Sequence, residues 1–261
     1  MPPPALSARP VLSRAFLLAA LLLMLLAVAA RAQSLVMYSS AHTAPKQFAD
    51  GGRASGYAVN LGVAILRRAG FEPETRALPW ARAIKEVEAG RGVLAPVFSR
   101  TPEREQLFLF SLPVLEDAVV LVQDAARPFP FATPRDLIGK RVGTTRAARF
   151  GAELNAVLPQ LRINEDGEPP QRLAMLLAGR LDAAVIAGGE QAVRYNAQRA
   201  GIALSRLRIV GNPLLLDSNH FAIARAHPEA EAIMARINAA ISRMKAERSL
   251  QRQLDDYRAR Y

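Results

Sequence analysis

The chain has no cysteine, only three histidines and a single tryptophan in 261 residues. Without cysteine there is no disulfide framework, thiol nucleophile, cysteine-ligated zinc or iron–sulfur cluster, and no N-terminal cysteine to carry a lipid. His42, His220 and His227 have no metal-ligand spacing between them. The G-x-S-x-G, H-E-x-x-H, Walker A and kinase signatures are absent. Gly90 to Ala95 spells G-x-G-x-x-A, but it follows a predicted helix and enters a predicted strand, the reverse of a dinucleotide site. Lysine is scarce, with four against thirty arginines. The net charge of +11 is spread along the chain and interleaved with acids. It shows no basic run of five and no aromatic–basic alternation, so no nucleic-acid partner is expected. A moderate positive potential favours small anionic ligands instead. No catalytic residue, metal or cofactor is expected.

Long apolar runs are confined to one place. Arg9 and Arg14 precede an uninterrupted apolar run from Ala15 to Ala30, and Ala30-Arg31-Ala32 follows. This order is that of a secretory signal peptide. Sixteen helical residues span roughly 24 Å, short of the ~30 Å hydrocarbon core, which argues against a membrane anchor. Cleavage after Ala32 would leave residues 33–261 with a charge of +8. No second apolar run reaches membrane-spanning length, and the chain ends at Tyr261 without a signalling segment. A soluble periplasmic protein is expected.

What the remaining chain does have is α/β alternation. Strands are predicted at 35–38, 71–78, 93–98, 119–122, 140–145, 182–186, 206–210 and 220–225. Helices are predicted at 57–69, from Pro79-Trp80 to Ala89, at about 147–158, before Gly179, at 189–200, from Pro228 through the stripe Ile233, Ile237, Ile241 and Met244, and at 246–258. Pro128 and Pro130 mark a linker. The alternation implies a layered α/β architecture with parallel strands.

The informative segment is 78–112. Ser99 and Thr101 place hydroxyls near a strand end, and Thr101-Pro102-Glu103 reads as a helix start. The Arg104 fork there can hold a carboxylate, with Trp80 as an aromatic plate at a second strand-to-helix junction. The alternative is that Arg104 pairs with Glu103 or Glu105 and Trp80 is core.

Ser99-Arg100-Thr101-Pro102-Glu103-Arg104, followed by Phe108-Leu109-Phe110-Ser111, resembles the solute-binding proteins of ABC importers, family 3. The runs Asp136 to Gly143 and Gly179 to Ala184 match its second lobe, and the resemblance covers 34–258. Pro79-Trp80-Ala81-Arg82-Ala83 resembles one branch of that family. The resemblance implies a two-lobed periplasmic-binding-protein fold of type II, with two crossover strands and an interlobe ligand cleft. Lobe 1 would be 33–122 plus 222–261, and lobe 2 would be 123–221. The implied partners are a small carboxylate-bearing ligand and an inner-membrane ABC permease, with the protein a monomer.

Carried over residue by residue, Arg104 falls on the carboxylate-binding arginine, Ser99 on its companion hydroxyl and Trp80 on the packing position. Tyr38 and His42-Thr43 lie near another flank. The second-lobe loop carries Arg146 and Arg149 where small or hydroxyl residues are usual, making Arg149 a candidate second clamp. Ala187 stands where the α-amino-acid binders have an aspartate for the ligand ammonium. Either the ligand lacks that ammonium or Glu190 supplies the acid. Some proteins resembling this family are cyclohexadienyl dehydratases with a glutamate in the segment where Glu190 lies. That enzyme class and a detached ligand-sensing module are the alternatives, although Ile186-Ala187 breaks the dehydratase motif.

Overall fold

The computed structural model describes residues 33–258 except 52, 149 and 167. The leader predicted at 1–32 and the candidate clamp Arg149 therefore lie outside the described residues.

The chain opens with β1 (Gln33–Ser40) and a small antiparallel sheet of β2 (His42–Thr43), β3 (Gln47–Asp50) and β4 (Arg53–Ser55). Then come α1 (Tyr57–Arg68), β5 (Phe71–Leu78), α2 (Trp80–Glu88), β6 (Val93–Ser99), α3 (Pro102–Leu107) and β7 (Phe108–Phe110). β8 (Leu115–Asp124) leads into β9 (Arg141–Thr145), α4 (Gly151–Val157), β10 (Arg162–Asp166), α5 (Pro169–Leu177), β11 (Ala183–Ala187), α6 (Gly189–Arg199) and β12 (Leu207–Ile209). The chain returns through β13 (Leu215–Ala224) to α7 (Ala230–Ala246) and α8 (Ser249–Arg258).

One large sheet runs β10-β9-β11-β8-β13-β6-β1-β5, with β12 added beside β8 and β7 beside β13. Each half repeats one order: second strand, first, third, crossing strand, fourth. That is the type II arrangement. β1 pairs with β6, and β9 with β10 and β11, in parallel. β8 and β13 run antiparallel to each other and to their neighbours, so the parallel sheet expected from alternation is interrupted by its two crossing strands.

The core follows the same division. Residues 35–115 and 221–254 supply two buried apolar clusters, and residues 119–210 supply two more. Leu115 of β8 belongs to the first pair and Val119 to the second. β13 changes sides similarly: Leu215 packs on the second-lobe core and Phe221 on the first. Both crossing strands thus serve two cores, with their lobe changes near 117 and 217.

Local chemistry fixes these elements. α1 buries Val59, Leu61, Ile65 and Leu66, and ends with Arg67 and Arg68 near its negative dipole end. Gly62 lets that helix lie close on β1, since an added Cβ would stand 2.8 Å from Met37 Sδ. α4 is shorter than the helix expected at 147–158, and the final long helix starts at Ala230 rather than at Pro228. Among the described residues, no helix is long and apolar enough to cross a membrane, and no group of three or more acids or histidines is placed to hold a metal.

Candidate functional site

The carboxyl ends of β5, β6, β9 and β11 converge on one cavity between the lobes, the position where open α/β sheets place ligands. Trp80, Val97, Ser99 and Arg104 line it from the first lobe, and Thr145, Ala148, Phe150 and Ala187 from the second. Val119 and Asp217 of the crossing strands line it too, as do Thr43 of β2, Gln47 of β3 and Lys46 between them. A second cavity adjoins it at Trp80 and Thr145, lined also by His42, Asp166 and Glu168.

Arg104 is held from several sides. Thr101 caps α3, and its Oγ1 accepts from the Arg104 amide at 3.4 Å. Arg104 Nη1 donates to the Ser99 carbonyl at 2.9 Å, and the guanidinium lies 3.9 Å from the Phe98 ring centroid. Nη2 reaches across to the Ala147 carbonyl of the second lobe at 3.4 Å. Ala147 is in the left-handed region, φ 61°, which is uncommon for a residue with a side chain. Glu105, a possible partner of Arg104 by sequence, is ion-paired with Arg100. Trp80 meets Phe98 edge-on at 5.7 Å between centroids and is half-buried, so it serves core and cavity together.

The crossing strands contribute charge that sequence reasoning missed. Asp117 and Asp217 stand opposite each other in register on β8 and β13. Buried Lys46 forms an ion pair with Asp117 and donates to Asn219 Oδ1 at 2.5 Å. Tyr57 of α1 donates to Asp117 Oδ1 at 3.2 Å. Ser99 Oγ donates to Asp217 Oδ2 at 2.6 Å. Burial raises the Asp217 pKa from its ordinary value, and nearby Asp117 pushes the same way. The Ser99 hydrogen bond, Lys46 and Arg104 partly offset this. The trace in the sequence was faint: Asp117 follows Glu116 at the start of an apolar stretch, and Asp217 precedes Ser218, Asn219 and His220.

The structure brings Trp80, Ser99 and Arg104 together at the cavity, with Thr43 beside them. Two other candidates stand elsewhere. Tyr38 is buried beneath α2 with Ala83, Val87 and Leu94, because strand alternation turns it away from the cleft. Glu190, in the first turn of α6, is 59% exposed and ion-paired with Arg194 one turn on. Neither lines this cavity, and Glu190 lies instead at a separate one with Leu204 and Leu207. Arg149 falls between the lining residues Ala148 and Phe150 but is outside the described residues.

The family model for bacterial extracellular solute-binding proteins, family 3, matches residues 35–259. No curated protein sequence matches the chain. Among solved structures, an ancestral arginine-binding protein bound to arginine superposes with TM-score 0.74 at 19% identity, covering 87% of this chain and 99% of that one. A histidine kinase sensor domain with similarity to periplasmic binding proteins gives TM-score 0.75 at 22% identity, covering 87% and 96%. The ancestral amino-acid-binding protein AncCDT-1, a precursor of cyclohexadienyl dehydratase, gives 0.69 at 19%, covering 86% and 95%. At these identities the likeness is one of fold.

Proposed function

The chain belongs to the bacterial extracellular solute-binding proteins, family 3, and on that premise we propose that it captures a small carboxylate-bearing ligand between its lobes for delivery to an ABC permease. The observation that carries this reading is the setting of Arg104. Its guanidinium is fixed by the Ser99 carbonyl and the Phe98 face, and it lines the cavity into which Trp80 also projects. A planar two-pronged cation held in place, beside an aromatic surface, is suited to a carboxylate with an organic body. Ser99, Trp80 and Arg104 form the first-lobe half of the site. Thr145, Ala148, Phe150 and Ala187 form the second. Segment 1–32 directs the protein to the periplasm, where it acts as a monomer. Amino acids of the kind named for the structural relatives, arginine among them, are the natural first probes.

A thermal-shift screen of residues 33–261 against the common L-α-amino acids and their amine-free counterparts tests the proposal. A ligand at 100 times its Kd adds about 2.7 kcal/mol, or roughly 5–10 °C for a chain of this size. At least one carboxylate-bearing compound is expected to give such a shift, and Arg104→Ala to abolish it. Absence of any shift, or an equal shift in Arg104→Ala, would contradict the reading.

A further inference from the structure

We infer that Asp217 is the cation-recognising residue of the cleft, so that the ligand carries a positively charged group close to its carboxylate. This rests on the proposal that Arg104 takes the carboxylate. Among the described residues, Asp217 is the one acid that lines the cavity holding Arg104. The two charged side chains are anchored on opposite polar atoms of one residue. Arg104 donates to the Ser99 carbonyl at 2.9 Å, and Ser99 Oγ donates to Asp217 at 2.6 Å. A cation and an anion displayed a single residue apart match the charge separation of a small zwitterion.

The neighbouring charges have closer partners of their own, although Lys46 and Arg104 also act on Asp217 electrostatically. Lys46 pairs with Asp117, Asp166 with Arg172, and Glu190 with Arg194. Glu168 meets His42 at 2.6 Å. Asp217 takes part in no ion pair among the described residues, and Ala187 across the cavity offers only a methyl group. A half-buried carboxylate with a second carboxylate opposite it in register carries a cost that the Ser99 hydrogen bond, Lys46 and Arg104 offset only in part, and a ligand cation would offset more. A ligand with negative charge alone satisfies Arg104 but leaves Asp217 facing like charge, whereas a zwitterion satisfies both. Asp217 therefore selects against simple organic anions as well as for cation-bearing acids.

Matched pairs of probes decide the matter: each L-α-amino acid against the same acid lacking its amino group, with wild type, Asp217→Asn, Asp217→Ser and Arg104→Ala. In wild type, only the amino acids should shift the melting temperature. Asp217→Asn should weaken the best amino acid about 10- to 100-fold and leave its amine-free partner unchanged or tighter. Asp217→Ser repeats the comparison should the asparagine variant fold poorly, and the wild-type pairs need no variant at all. If amine-free acids alone bind wild type and Arg104→Ala removes them, the inference about Asp217 falls while the carboxylate proposal stands. Equal weakening of both members of a pair by the Asp217 variants would reduce Asp217 to a structural role. Unchanged amino-acid binding in those variants, or no binding by any probe, would also overturn it.

Discussion

Asp217 shows how a single side chain joins stability to binding. Its pKa is raised in the folded protein, chiefly by burial. Such a carboxyl imposes no penalty below its unfolded-state pKa. The penalty grows as pH climbs from there to the folded-state pKa, and it is complete above that value. Asp217→Asn should therefore melt higher than wild type in ligand-free protein at pH 7, and the gain should vanish towards pH 3.5. Scanning calorimetry across that range checks it, and an equal gain at both ends would disprove it. Binding has the opposite sign. Acidification protonates Asp217, with Lys46, Arg104 and Asp117 as the charges around it, so affinity for a cation-bearing ligand should fall with pH more steeply in wild type than in Asp217→Asn. Trp80, Ser99 and Arg104 were legible in the sequence because they sit in one contiguous segment with a cap, a proline and an arginine at short spacing. Asp217 was not, because it reaches Ser99 from 118 residues away, across a strand pairing that no local pattern encodes.

At the scale of elements, the site depends on α3 being started in the right place. Thr101 accepts from the Arg104 amide and Pro102 occupies the first turn. Thr101→Ala should cost about 1 kcal/mol in urea unfolding and also weaken ligand binding, because the same turn positions the guanidinium. A binding constant unaffected by that change would show that Phe98 and the Ser99 carbonyl suffice. Gly92 is a second such point. It lies at φ +118°, and an added Cβ would stand 2.3 Å from the Val36 carbonyl oxygen, where β6 meets β1. Gly92→Ala should destabilise by more than about 2 kcal/mol, read from the urea midpoint. Apolar periodicity and turn residues made most helices and buried strands legible. The elements it missed were polar or short. β10 is an edge strand with exposed Arg162, Glu165 and Asn164, the β2–β4 sheet is built of strands of two to four residues, and the first half of β13 carries Asp217 and Asn219 in place of apolar residues.

At the scale of the molecule, the contacts that join the lobes among the described residues include His42 to Glu168 at 2.6 Å, Asn196 Nδ2 to the Ala44 carbonyl at 2.9 Å and Arg104 Nη2 to the Ala147 carbonyl at 3.4 Å. They are unequal. His42 and Glu168 have side chains 38% and 46% exposed, so their contact contributes at most about 1 kcal/mol. Glu168→Gln should weaken ligand binding no more than about 5-fold, whereas Arg104→Ala should weaken it by at least about 30-fold. Calorimetric titration giving the reverse ranking would make the His42–Glu168 contact, not the Arg104 cation, the seat of affinity. The two-lobed division was legible only through resemblance, since helix–strand alternation alone says nothing of two strands exchanging cores. Core membership changes between Leu115 and Val119 in β8 and between Leu215 and Phe221 in β13, because each strand serves both cores.

The central claim, that Arg104 receives a ligand carboxylate inside the cleft, is tested most directly through the single tryptophan. Trp80 lines the cavity and packs 5.7 Å from Phe98, the ring that Arg104 covers. Its emission should therefore change saturably as a carboxylate-bearing ligand fills the cleft. Titrating wild type and Arg104→Ala side by side should give a saturation curve in the first and none over the same concentrations in the second. Superimposable curves, or no change in wild type with any compound that stabilises the protein, would contradict the account.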